Sequence, residues 1–315
     1  YFFLFYIDNK KSLKSKNLGG IESLNVDLYN YVKKTNNKTF LSNKVTSEII
    51  NKQWDYVISS NNAQIFDKIT CKKKILWLHN KLQIEKAIRK NQILSILFND
   101  ITAVFNSNYL KNNTSRLYNF QNKLVISNFL TKDFLNLKNN FVSKPFFVWS
   151  VQRSKGLDEV LDVWIEKIYP NNEKLKLYIF GIQDPRIERF NLTKLEKYNI
   201  FYKGRVNKNI LKMYYKKSMA MICLGYDETF SLNVLEGFSC GLPMITFGYT
   251  AVGELINKKN SFILKKYSNL SNIVFRIYKL NNKKRNMISN YCINFSKRFY
   301  IDKQFYKWKR LLRLK

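Results

Sequence analysis

The sequence predicts an α/β protein of two doubly wound domains, each a parallel sheet flanked by helices, facing each other across a cleft. Three observations predict it. The chain has 315 residues, which suits two domains of about 150 residues better than one. Short apolar runs alternate with polar, helix-patterned segments in both halves, the pattern of parallel strands joined by crossover helices. That alternation lapses once, around residues 131–145, and restarts on a new apolar run. Hydrophobic residues make up 45% and aromatics 16%, enough to fill two cores, so the disordered class is excluded.

In the first half the strand candidates are residues 1–7, 56–59, 75–78, 102–105 and 124–126. The opening run is too short for a membrane span or a signal segment and reads as a first strand. It begins on Tyr1 rather than Met, so the true start is expected upstream. Ser143, Lys144 and Pro145 end the lapse, and the domain limits are set at 1–143, 144–288 and a helical tail of 289–315. Residues 146–151 open the second half as a strand. Leu157, Val160, Leu161, Trp164, Ile165 and Ile168 then share one helical face, predicting a helix packed on the sheet. Strands at 175–180 and 200–202, a helix near 209–217, a strand at 219–224, a helix at 231–240 and a strand at 244–246 follow. Gly241 and Pro243 stand where a helix stop belongs.

The net charge of +33 raises nucleic-acid binding as a first thought. Its make-up argues otherwise. The cations are 44 Lys and 11 Arg, scattered along the whole chain, and Arg is the residue that reads bases and phosphates bidentately. No nucleic-acid partner is expected. A basic surface still favours nucleotide diphosphates and acidic lipid headgroups. Cys71, Cys223, Cys240 and Cys292 form no CxxC pair, and His79 is the only histidine, so no zinc cluster can be assembled. Reduced thiols and a cytoplasmic setting are expected.

Chemistry is sought in loops that follow strands, because open parallel sheets bind ligands beyond their carboxyl ends. The strongest signal runs from Tyr226 to Pro243. It puts Glu228 in a post-strand loop and Glu236 about two turns into the next helix. A helix N-terminus behind a strand offers free amides and partial positive charge to a diphosphate. The carboxylate inside that helix can accept from both hydroxyls of a ribose, and the loop carboxylate can hold a sugar hydroxyl.

This segment resembles the E-x7-E motif of glycosyltransferase family 4, including the Glu236-Gly237-Phe238-Ser239-Cys240-Gly241-Leu242-Pro243 continuation. Lys155-Gly156 resembles the family's Lys-Gly element, Arg205-Val206 after Gly204 its loop beside the nucleotide base, Gly19-Gly20 its glycine-rich loop, and Trp77-Leu78-His79-Asn80 the strand end that brings a histidine to the sugar. Five elements in order are far more specific than one. The family commonly carries an arginine five residues before that lysine; here the position is Ser150, and Arg153 is the candidate replacement.

The resemblance implies a GT-B fold of two Rossmann-like domains, a terminal helix returning to the first domain, and retaining transfer from a nucleotide-sugar donor to a glycan or lipid-linked acceptor in polysaccharide or lipopolysaccharide synthesis. It implies catalytic roles for Glu228, His79 and Lys155, and donor contacts for Glu236, Arg153, Thr229, Phe230, Ser231, Arg205, Val206, Gly19 and Gly20. No Asp-x-Asp motif occurs, so no metal or other cofactor is expected, cations and helix amides carrying the leaving-group charge. Residues 83–94 and 305–313 mix apolar and basic side chains, which makes an anionic membrane surface a further candidate partner. The rival readings are a sugar-nucleotide epimerase or phosphorylase, and a non-catalytic polyanion binder on the same scaffold.

Overall fold

The computed structural model describes residues 1–8, 18–36, 38–137, 143–150, 156–181 and 192–314. The chain divides into two compact units, Tyr1–Lys132 with Phe299–Lys315, and Asp133–Arg298. The first division thus falls ahead of residues 143–145, and the second falls inside the 289–315 tail. The predicted strand 146–151 and the Lys155 element run into residues 151–155, outside the described residues.

The first unit follows the order β1 (Phe3–Ile7), α1 (Gly20–Thr35), β2 (Thr39–Ser42), α2 (Ser47–Asn51), β3 (Trp54–Ser60), β4 (Cys71–Leu78), α3 (Ile84–Arg89), α4 (Gln92–Leu97), β5 (Ile101–Phe105), α5 (Asn108–Asn112) and β6 (Asn122–Val125). Its six parallel strands lie in the order β2-β1-β3-β4-β5-β6. Strands β1 and β5 are buried along their whole length, as expected for parallel strands covered on both faces. Strand β2 lacks an apolar run, which is why sequence reading passed over it: only Thr39 is buried, as befits a sheet edge.

The second unit runs β7 (Phe146–Trp149), α6 (Leu157–Val163), β8 (Lys176–Phe180), α7 (Leu192–Glu196), β9 (Ile200–Gly204), α8 (Lys208–Lys217), β10 (Met221–Ile222), α9 (Leu232–Ser239), β11 (Met244–Thr246), β12 (Ser261–Ile263), α10 (Leu270–Tyr278) and α11 (Asn282–Ser296). Its sheet is also parallel, in the order β12-β11-β10-β7-β8-β9. The helical face predicted from Leu157 onward is buried at Leu157, Val160, Leu161, Trp164 and Ile168, although the helix passes into a π turn at Trp164–Ile168.

The tail is not one helix. Helix α11 stays with the second unit, and after Lys297–Phe299 the chain forms α12 (Ile301–Leu311) in the first. Leu130 N donates to Phe299 O at 2.8 Å. Trp308 is fully buried, its ring 4.8 Å from Trp77, so the apolar face of the tail is taken up by the first unit's own core. Residues 83–94 likewise form two short helices, α3 and α4, broken where Asn91 enters the left-handed region at φ +48°. Among the described residues no helix is long and apolar enough to cross a membrane.

Each sheet has a switch point where the strand order reverses: between β1 and β3 in the first unit, and between β7 and β10 in the second. Loops leaving the carboxyl ends there form the crevice in which open α/β sheets bind ligands.

Candidate active site

In the second unit the loop after β10 carries Glu228, Thr229, Phe230 and Ser231 directly into α9. Glu228 is buried, and its carbonyl accepts from Ala251 N at 3.1 Å, which ties this loop to the one after β11. Phe230 is buried beneath the turn. Ser231 precedes the helix in the left-handed conformation, φ +65°, a geometry costing a non-glycine residue roughly 1 kcal/mol. Its hydroxyl is buried and has no hydrogen-bond partner among the described residues. A buried unpaired hydroxyl is also unfavourable, and two local costs at one helix N-terminus motivate a functional reading.

Glu236 sits further along α9, 8% exposed. Burial drives its pKa from 4.5 up to about 7, Lys208 opposing the shift and Asp133 adding to it. Lys208 Nζ is 3.0 Å from Asp133 Oδ2. A carboxyl that is half protonated near neutrality can donate as well as accept hydrogen bonds. Neither Lys208 nor Asp133 was legible as a site residue, since each comes from a segment whose polar character reads as solvated surface.

Ser150 closes β7 where the family's arginine would stand. Its hydroxyl shares a 2.6 Å hydrogen bond with the hydroxyl of fully buried Tyr215, and its carbonyl accepts from Asn233 Nδ2. The position therefore stitches the end of β7 to α8 and α9. Gly156, N-cap of α6, has φ +93°, and a Cβ there would collide with the Tyr267 hydroxyl. The glycine of the Lys-Gly element is thus demanded by the backbone and by a close neighbour. Arg153 and Lys155 lie outside the described residues.

Arg205 and Val206 follow β9, the edge strand three places from β10, roughly 14 Å away at ordinary strand spacing. The structure groups Glu228, Thr229, Phe230, Ser231 and Glu236, and sets Arg205 and Val206 apart from them.

In the first unit Gly19 caps α1 and Gly20 begins it, beyond β1. His79 directly follows β4 with its side chain buried, 4.5 Å from the Trp77 ring. Desolvation lowers its pKa from 6.5 to about 3, so the imidazole is neutral at physiological pH. Its backbone is clamped: His79 N donates to Asn61 Oδ1 at 2.8 Å, and its carbonyl accepts from Asn106 Nδ2 at 3.3 Å. Around it, Ser60 Oγ donates to Asn25 Oδ1 at 2.9 Å and Asn62 Nδ2 to Asp8 Oδ2 at 2.9 Å. This amide network at the carboxyl edge was missed from sequence because Asn is so abundant in the chain. The usable signal was Asn61, directly after a strand and in the left-handed region at φ +56°. Among the described residues no group of three His, Cys, Asp or Glu side chains could hold a metal ion.

The family model of the glycosyl transferases group 1 matches residues 133–294, more than half of the chain. The chain belongs to this family. It is a glycosyltransferase with the GT-B fold. The structure of HepE from Anabaena, in complex with UDP and glucose, is similar at TM-score 0.72 and 12% identity, over 99% of this chain and 100% of that one. Sucrose-phosphate synthase from Thermosynechococcus elongatus is similar at TM-score 0.70 and 13% identity, over 99% and 98%. WaaG, a glycosyltransferase involved in lipopolysaccharide biosynthesis, is similar at TM-score 0.68 and 10% identity, over 93% and 95%. At such identities the likeness is one of fold. No curated protein sequence matches the chain.

Proposed function

We propose that this glycosyltransferase moves a sugar from a nucleotide-sugar donor to a glycan or lipid-linked acceptor with retention of configuration and without a metal, in the manner of family 4, during synthesis of a surface polysaccharide or lipopolysaccharide. The observation that carries the proposal is the start of α9. Two buried carboxylates, Glu228 and Glu236, bracket a helix N-terminus whose Ser231 hydroxyl is buried and unpaired among the described residues. Such a terminus suits a diphosphate.

In this reading Glu236 holds the ribose hydroxyls and Glu228 a hydroxyl of the transferred sugar. The amides of Thr229, Phe230 and Ser231, with Lys155 and Arg153 assigned from their sequence motif, take up charge on the departing diphosphate, which is where preorganised donors contribute most. The bond from the anomeric carbon to phosphate oxygen breaks, the bond from that carbon to the acceptor oxygen forms on the same face, and the acceptor proton goes to the leaving phosphate. Arg205 and Val206 border the base. Roles toward the donor and its sugar are assigned to neutral His79 and to Gly19-Gly20 from their sequence motifs. Anionic lipid is the setting proposed for a lipid-linked acceptor. HepE was crystallised with UDP and with UDP-glucose, which supports a nucleotide-sugar donor here.

Thermal melting with UDP-, GDP-, ADP-, CMP- and dTDP-sugars tests the proposal, since a ligand of the native state raises the midpoint by mass action. A rise with one nucleotide class that persists in EDTA is expected. No rise with any nucleotide, together with a rise on adding heparin, would replace this reading with polyanion binding. Glu236→Ala is expected to lose donor affinity and Lys155→Ala to lose turnover; unchanged kinetics in both would remove the site assignment.

A further inference from the structure

Beside the Glu228 loop stands a group of aromatic rings that the proposed chemistry leaves unused. Phe247 leaves the end of β11, and its ring is parallel within 2° to that of Tyr249, centroids 5.6 Å apart. Tyr226, from the loop after β10, lies 17° from the plane of Phe247 at 6.4 Å. Tyr267 meets Phe247 edge-on at 4.9 Å. Phe247 is the buried member, whereas Tyr226 is 56% and Tyr249 69% exposed.

The arrangement is built in. Gly248, between the two stacked rings, has φ +77°, and a Cβ there would come within 2.9 Å of Ile256 Cδ1. The left-handed glycine lets residues 247 and 249 bring their rings together. The Ala251 N to Glu228 O hydrogen bond joins this loop to the candidate catalytic loop, and Tyr267 reaches the backbone of Gly156. The cluster thus touches both elements assigned to the donor, one through Ala251 and the other through Tyr267.

We propose that Tyr226 and Tyr249, backed by Phe247 and Tyr267, form a platform that stacks on a pyranose ring of the acceptor. The face of an aromatic ring carries negative potential, which attracts the polarised C–H groups on the flatter side of a pyranose while leaving its hydroxyls to water. The strand order selects a sugar over the nucleobase. The platform grows from β10 and β11, whereas the loop assigned to the base follows β9 at the opposite edge. The donor's own sugar is assigned to buried Glu228, so rings more than half open to solvent suit a ring that arrives from outside. The inference rests on the glycosyltransferase reading of this site.

Saturation-transfer NMR with a panel of methyl pyranosides and short oligosaccharides, without nucleotide, tests the platform apart from that reading. Transfer from the protein to C–H protons on one face of a pyranose is expected. In the Tyr226→Ala, Tyr249→Ala double variant the affinity should fall about fivefold, and Tyr226→Phe, Tyr249→Phe, which keeps the rings, should restore it. Nucleotide-dependent melting of the alanine variant, measured in parallel, should match wild type and show that the unit is folded. No transfer with any saccharide, or an affinity unchanged by loss of both rings, would overturn the platform even if nucleotide binding holds. A fall in nucleotide-sugar binding with saccharide transfer unchanged would also overturn it, by moving the rings to the donor.

Discussion

Glu236 shows how burying one carboxyl ties stability to pH. Its folded pKa of about 7 exceeds the ordinary 4.5, so between these values the native protein holds a proton that the unfolded chain has released. The stability it contributes is complete below pH 4.5 and is lost as pH rises through 7, up to about 3 kcal/mol. Glu236→Gln has no carboxyl to ionise, so its melting midpoint should exceed that of wild type increasingly from about pH 5 to about pH 8; parallel pH curves for the two proteins would contradict the burial argument. Ser231 is the companion case. Ser231→Ala removes a buried hydroxyl that is unpaired among the described residues and should not lower the melting midpoint, yet should weaken nucleotide binding about tenfold if that hydroxyl meets the diphosphate. Urea melts and calorimetric titration separate the two effects. The motif offers Glu228, Ser231 and Glu236 as candidates, but the proton on Glu236 is not legible there, because it depends on everything packed around α9.

At the scale of elements, α12 is the clearest case of a face whose partner the sequence did not reveal. Its aromatic and basic residues read equally as an interfacial helix or as a packed one. The structure buries Ile301, Trp308 and Leu312 in the first unit, with the Trp77–Trp308 contact at its centre. Trp308→Ala should therefore cost roughly 3–5 kcal/mol, read as an earlier urea midpoint of the first unit; a cost near zero would mean that the helix does not dock. Residues 83–94 mix apolar and basic side chains without a visible break, because periodicity cannot register a single residue, Asn91, in the left-handed region between α3 and α4. Strand β10 shrank to Met221–Ile222 because only two of the predicted residues pair on both sides.

For the whole molecule, the two units should answer pH in opposite directions. His79, in the first, has its folded pKa depressed to about 3, so its contribution to stability is present above 6.5 and is lost as pH falls toward 3. Glu236, in the second, loses its contribution as pH rises. Scanning calorimetry across pH should resolve an acid-sensitive and an alkali-sensitive transition, with His79→Asn blunting only the former. The charge of +33 acts on the molecule as a whole: polyanion binding should weaken steeply with salt while nucleotide melting shifts change little. By itself, the sequence determined the α/β class, the two doubly wound sheets and the order of the family's motifs, because apolar alternation and motif spacing are local properties of the chain. Only the tertiary structure decided that Ser150, at the arginine's place, bonds to Tyr215, that His79 and Glu236 are held neutral or nearly so, and that rings from residues 226, 247, 249 and 267 converge. Burial, desolvation and ring stacking are sums over neighbours distant in sequence, and those neighbours exist only once strand order and register have brought them together.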